Sequence, residues 1–181
     1  MDRRQQGSIM TGDEVMAAGK DGEETDIPAR IRKIYDRNCF MHDFFHVKID
    51  EIRCGHVTVS LQTDPKKHAN HRGLVHGGVL AALADSVTGV TGATVGAAVV
   101  TVSMTMNFIR NTRPGETISV SSRIVHRGRT TMVIEASMKD EEGRLMAEMM
   151  STMMIVGHFP DIPETWPPAE TIEKKRSEII D

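Results

Sequence analysis

Between positions 70 and 85 the chain reads Asn-His-Arg-Gly-Leu-Val-His-Gly-Gly-Val-Leu-Ala-Ala-Leu-Ala-Asp, a polar loop running into small and aliphatic residues that carry one carboxylate. Asp85 has Leu83, Ala84, Val87 and Val90 around it, where an ionised side chain is expensive to bury without a purpose. His76 begins a helix, and Gly77 and Gly78 leave its first backbone N–H groups accessible, so the same helix offers an anion-binding end. A carboxylate plus an oxyanion site is the equipment of acyl-group hydrolysis.

His76 and Asp85 are nine residues apart, which at about 100° per residue is roughly half a turn around the helix. One helix therefore cannot aim both at the same substrate atom. If both act, two copies of the helix must lie side by side and lend different faces to a shared site. The spacing predicts an obligate dimer with composite active sites.

The elements that would hold these groups follow from periodicity. A central helix is expected over about 75–95. Its Gly and Ala content is poor helix chemistry in isolation and makes sense only if sheet encloses it. Val100, Val102, Met104, Met106 and Phe108 alternate with Thr101, Ser103, Thr105 and Asn107, a period-two strand. Further strands are expected around Ile118–Ile124, Met132–Met138 and 145–156, separated by turn signals at Pro114-Gly115, Gly128 and Gly143. Two more strands, 47–53 and 57–62, precede a polar loop over 65–74, and a short helix is expected over 31–45. Long antiparallel strands around one buried helix make an α+β fold. Residues 1–29, acidic and Gly-rich, read as a flexible tail. The domain proper is 30–157, and 158–181, with Pro160, Pro163, Pro167 and Pro168, reads as an extension outside it that ends in a short charged helix.

Asn70, Gly73, His76, Gly77, Gly78 and Asp85 resemble the pattern of the hotdog-fold acyl-CoA thioesterases of the PaaI-like type, within the 4-hydroxybenzoyl-CoA thioesterase superfamily. The resemblance extends over about 31–156 and includes Met106-Asn107-Phe108-Ile109-Arg110, Pro114-Gly115-Glu116 and Gly128-Arg129. It implies a hotdog fold, an antiparallel sheet wrapped around a long central helix. It also implies an acyl-CoA substrate, no cofactor, and a homodimer that pairs into a dimer of dimers, a homotetramer. Asp85 would serve as general base on a water or as direct nucleophile. The Gly77 N–H would donate to the oxyanion, with His76 beside it and Gly78 lining the substrate. Asn70 would orient substrate or nucleophile, and Ser103 would hold the attacking water.

Each residue has a plainer reading. Asp85 could pair with a basic residue, Asn70 could satisfy its own loop, and His76 could bond a carbonyl at the loop-to-helix junction. Ser103 sits in a polar row that ordinarily faces solvent. Arg110, Arg127 and Arg129 lie at strand ends or turns, where arginines are usually solvated, yet coenzyme A carries three phosphates and Arg matches phosphate geometry. Arg129 is the best placed of the three by resemblance. His68, His71 and His76 lack a Cys or carboxylate beside them and form a weak ligand set, so no metal is expected. The methionines at 146, 149, 150, 153 and 154 read as core and interface filler. Gly157-His158-Phe159-Pro160 resembles a motif of hotdog dehydratases but follows the last strand instead of preceding the helix. A hotdog dehydratase or hydratase, or a non-catalytic acyl-CoA binder, stands as the alternative to hydrolysis.

The chain has 181 residues, a net charge of −3 and two cysteines. That suits one domain, gives no support for nucleic-acid binding, and cannot build a disulfide framework. No apolar run reaches the ~18 residues of a membrane span, and no signal peptide is evident, so a cytoplasmic enzyme is expected.

Overall fold

The computed structural model describes residues 26–167. In chain order these form helix α1 (Ile27–Tyr35), a π-helix (Phe40–Phe44), strands β1 (Lys48–Arg53) and β2 (His56–Gln62), and a one-turn helix α2 (Pro65–His68). The long helix α3 (Gly77–Ala93) follows, and then strands β3 (Ala97–Phe108), β4 (Thr117–Arg127), β5 (Thr131–Lys139) and β6 (Leu145–His158). All strand pairs are antiparallel and make one six-stranded sheet in the order β1-β2-β4-β5-β6-β3. This is the α+β hotdog arrangement, with the sheet curved around α3.

Alternation builds the core. Val57, Val59 and Leu61 of β2, Ile118 and Val120 of β4, and Met138 of β5 point inward and meet Leu80, Leu83, Ala84, Val87 and Val90 of α3. Each buried Leu or Val contributes about 1.5–3 kcal/mol relative to leaving it in water. That burial overrides the low helix propensity of a segment containing Gly77, Gly78, Gly89 and Gly92. Small residues also permit close approach. A Cβ at Gly92 would lie 2.7 Å from Val99 Cγ2 of β3, so α3 and β3 are in direct contact there. At the other end of the same pair, Gly77 faces the ring of Phe108. The helix and β3 therefore run antiparallel.

Helix α3 ends at Ala93 and the chain turns away at Gly96, whose φ of +73° suits a residue without a side chain and where a Cβ would clash with the Ile162 carbonyl. Trp166 Nε1–H donates to the Thr94 carbonyl at 2.7 Å and satisfies one of the carbonyls left open at the helix end. These contacts correct two expectations. Residues 158–167 do not stand outside the domain, because Ile162 is buried in the main core and Trp166 packs on it. The single helix expected over 31–45 is broken after Tyr35. Asn38 Oδ1 accepts the N–H groups of Phe40 and Met41 at 3.1 and 3.3 Å and starts a separate π-helical turn. The flexible tail expected over 1–29 and the short helix expected near the C-terminus lie largely or wholly outside the described residues.

One strand differs from the rest. β3 lies at the edge of the sheet, is twelve residues long, and exposes Val100, Val102, Met104 and Phe108. A long apolar edge with unpaired backbone groups is a template for pairing with another strand. Among the described residues no helix is long and apolar enough to cross a membrane.

Candidate active site

Asp85 sits in the middle of α3, half-buried, on the side of the helix turned toward β3. Thr101 of β3 donates its hydroxyl to Asp85 Oδ1 at 2.6 Å. Met153 Sδ lies 3.5 Å from the same hydroxyl, a longer and weaker contact, so the single proton of Thr101 belongs to the carboxylate. Thr88 donates to the backbone carbonyl of Asp85 at 2.7 Å and fixes that turn of the helix. Among the described residues no cation pairs with Asp85 and no partner is recorded for Oδ2. One carboxylate oxygen is thus oriented by a neutral donor, and the other remains available to accept a proton from water.

Ser103 does not occupy the position expected of it. Strict alternation would set Thr101 and Ser103 on one face, but the β3–β6 register shifts between them. Thr101 pairs with Met153 and Ser103 with Thr152, leaving Val102 as the extra residue of a β-bulge. Directly opposed residues in an antiparallel pair share a face. Met153 is buried on the helix side, so Thr101 points at α3, and Ser103 points to the other face, exposed and with no hydrogen-bond partner recorded. The residue that touches Asp85 is Thr101, two positions earlier.

At the start of α3, His76 is the N-cap. Its Nδ1 accepts the Gly78 N–H at 2.8 Å, which fixes the ring with the proton on Nε2. The cap occupies the Gly78 donor, so a lining role for Gly78 does not include its N–H. No acceptor among the described residues is recorded for the Gly77 N–H, which leaves it as the open donor at the positive end of the helix. Asn70 holds the preceding loop together. Its Oδ1 accepts the N–H groups of Arg72 and Leu74 at 2.9 and 3.2 Å, while its Nδ2 has no recorded partner. His68 is buried and stacks on Phe45, its Nδ1 accepting the Asp64 N–H at 2.9 Å; desolvation holds its pKa below the ordinary imidazole value. His71 and His76 are exposed. Among the described residues no three His, Cys, Asp or Glu side chains gather as metal ligands.

The arginines separate by position. Arg110 is exposed just beyond the end of β3 that carries Phe108, beside the N-terminus of α3. Arg127 and Arg129 belong to the β4–β5 hairpin at the opposite end of the sheet, where Thr131 pairs with Met154. Arg127 is engaged by Glu164 at 2.8 Å, while Arg129 is exposed at the turn without a recorded partner. Gly77 and Asp85, eight residues apart, are separated by about 12 Å along the helix axis at 1.5 Å per residue. Within one chain the open N–H and the open carboxylate oxygen do not converge.

Residues 72–147 match the thioesterase superfamily model. A protein of Streptococcus mutans solved with bound acetyl-CoA is 28% identical, with a TM-score of 0.60 over 62% of this chain and 90% of that one. A hypothetical thioesterase of Streptococcus pneumoniae solved with coenzyme A is 27% identical, with a TM-score of 0.60 over 65% of this chain and 98% of its own. The PaaI protein of the Escherichia coli phenylacetic acid degradation operon shares the fold, with a TM-score of 0.68 over 74% of this chain and 95% of its own at 20% identity. The pneumococcal protein has also been solved with an aspartate and, separately, a threonine replaced by alanine. Those two positions are sixteen residues apart in that chain, the separation of Asp85 and Thr101 here.

Proposed function

We propose that this chain belongs to the thioesterase superfamily and hydrolyses acyl-CoA thioesters to a free acid and coenzyme A at a site completed by a second copy of itself. The observation that carries this reading is the Asp85–Thr101 pair, a carboxylate oriented through one oxygen and open at the other, on a helix whose own N-terminus holds an unused N–H.

Water bonded to Asp85 Oδ2 gives up a proton to the carboxylate as its oxygen attacks the thioester carbonyl. The tetrahedral oxyanion is held by the Gly77 N–H of the partner subunit, the C–S bond breaks, and the thiolate leaves. A thiolate is a better leaving group than an alkoxide and needs no proton to depart, so a modest base acting on the water suffices. Thr101 keeps Asp85 aimed. Direct attack by the carboxylate would expel the thiolate and pass through an anhydride; 18O from labelled water appearing in Asp85 after a single turnover marks that route with water opening the anhydride at the Asp85 carbon.

The need for two copies follows from the ~12 Å between Gly77 and Asp85 and from the unpaired edge of β3. Antiparallel pairing of two such edges brings the N-terminal end of one α3 toward the middle of the other. It also brings the Arg110 end of one sheet toward the Arg129 end of its partner, so that Arg129 can reach a phosphate of coenzyme A bound across the seam. Pairing of such dimers into a tetramer leaves these seams intact. Thiol release from a panel of acyl-CoAs tests the activity. Loss of enoyl absorbance without thiol release would instead mark a hydratase, and neither signal would mark a binding protein.

A further inference from the structure

We infer that Tyr35 is the residue that sets how long an acyl chain the Asp85 site accepts, an inference that rests on the hydrolytic reading above. The surface of α3 beside Asp85 is made of small side chains. Ala81, Ala82 and Gly89 are only half-buried there, whereas Leu80, Leu83, Val87 and Val90 fill the sides against the sheet. Gly89 lies one turn beyond Asp85 on the same face, with Cβ positions about 5–6 Å apart. The first large group met in that direction is Tyr35, the last residue of α1, whose hydroxyl is 3.6 Å from where a Cβ at Gly89 would be. An acyl chain leaving the carbonyl at Asp85 toward Gly89 therefore ends against the Tyr35 ring.

Behind the ring there is room. Tyr35 also lines a cavity of about 320 Å³ whose apolar lining is Met41, Val47 and Ile49 and whose polar lining is Arg32, Asp36, His42 and Lys48. The side chain thus touches both the α3 face and this cavity. Among the described residues no hydrogen-bond partner is recorded for its hydroxyl, and burial pushes the phenol pKa well above its ordinary value. A neutral ring held by packing alone, with Ile31 and Ile34 of its own helix in the same core, is a plug that side-chain truncation removes without breaking a polar network.

The substrates expected are short acyl groups. One methylene too many in an apolar pocket costs about tenfold or more in specificity, so kcat/KM should fall steeply beyond a definite length. Tyr35→Ala should join the cavity to the α3 face and move that fall by several carbons, raising kcat/KM for the first excluded chain at least about tenfold relative to the best short one. Tyr35→Phe keeps the ring and should keep the wild-type profile. Gly89→Ala works from the opposite side. Its methyl group would meet the Tyr35 hydroxyl at an ordinary contact distance, so the fold accepts it and the cut-off should move to shorter chains.

The experiment is thiol release from straight-chain acyl-CoAs, butanoyl to hexadecanoyl, with wild type and the three variants. Opposite shifts for Tyr35→Ala and Gly89→Ala support the inference, and Gly89→Ala decides alone if Tyr35→Ala does not fold. Parallel profiles in all folded variants overturn it while leaving hydrolysis standing. Failure of the wild type to release thiol from any acyl-CoA overturns the hydrolytic reading, and this inference with it.

Discussion

At the N-terminal turn of α3 the candidate group is a backbone N–H, open at the first position of the helix while a histidine caps its neighbour; at the middle of the helix the candidate is a side-chain carboxylate that accepts a hydrogen bond from a threonine of the adjoining strand. The first depends on helix geometry and tolerates any side chain that keeps the cap. The second depends on two side chains meeting across a sheet–helix contact and on a one-residue bulge that turns Thr101 toward the helix. The two regions should therefore respond differently to substitution, one through stability and binding, the other through the chemical step.

The largest effect belongs to the middle of the helix. Asp85→Asn preserves shape and removes the proposed base, and turnover should fall by about 10²–10⁴-fold with the melting temperature unchanged; steady-state thiol release and a thermal melt check both. Thr101→Val removes a hydrogen bond to a charged group, worth about 1.5–3 kcal/mol, so kcat should drop roughly 10–100-fold with little change in KM. Thr101→Ser should retain most activity. Ser103→Ala, on the opposite face, should stay close to wild type, and a larger loss there than at Thr101 would overturn the assignment.

Arg129→Ala should raise KM for CoA substrates, by about tenfold at most for an exposed side chain, and spare a short thioester without the nucleotide. Arg127→Ala, whose side chain is already held by Glu164, should disturb KM less. The smallest effect lies at the helix start. His76→Ala deletes the cap at a cost of about 1 kcal/mol, visible as a lower melting temperature. His76→Asn should restore most of that stability, and identical melts for all three proteins would remove His76 from the capping role.

The sheet-and-helix plan was legible in the sequence because burial imposes its period on β2, on β5 and on β4 as far as Ile124, where inward and outward residues alternate. Asp85 stood out because a lone carboxylate in an apolar helix is physically conspicuous. Thr101 was missed for a reason equally physical. A bulge adds a residue without any compositional mark, here inside a run of Thr, Ser, Val and Met that fits either face, so alternation carried the polar row through Ser103. The role of 158–167 was also hidden, since Ile162 and Trp166 act only once the chain has returned to the end of α3, and Pro-rich composition reads locally as linker. Asn70 shows the opposite case. The loop-holding role that its type suggests is present in full, with the amide nitrogen left over.

The central claim is that each site draws its base from one subunit and its oxyanion turn from the other. Two inactive variants, Asn70→Ala in the loop that carries the turn and Asp85→Asn on the helix, can be mixed and their subunits allowed to exchange, with heterodimers verified by mass. Random reassortment makes about half of the dimers mixed, and each mixed dimer has one site with both lesions and one intact, so about a quarter of wild-type thiol release should return for a two-fold dimer with independent sites. Verified exchange with no recovered activity would contradict the account, because both residues would then belong to the site of a single subunit.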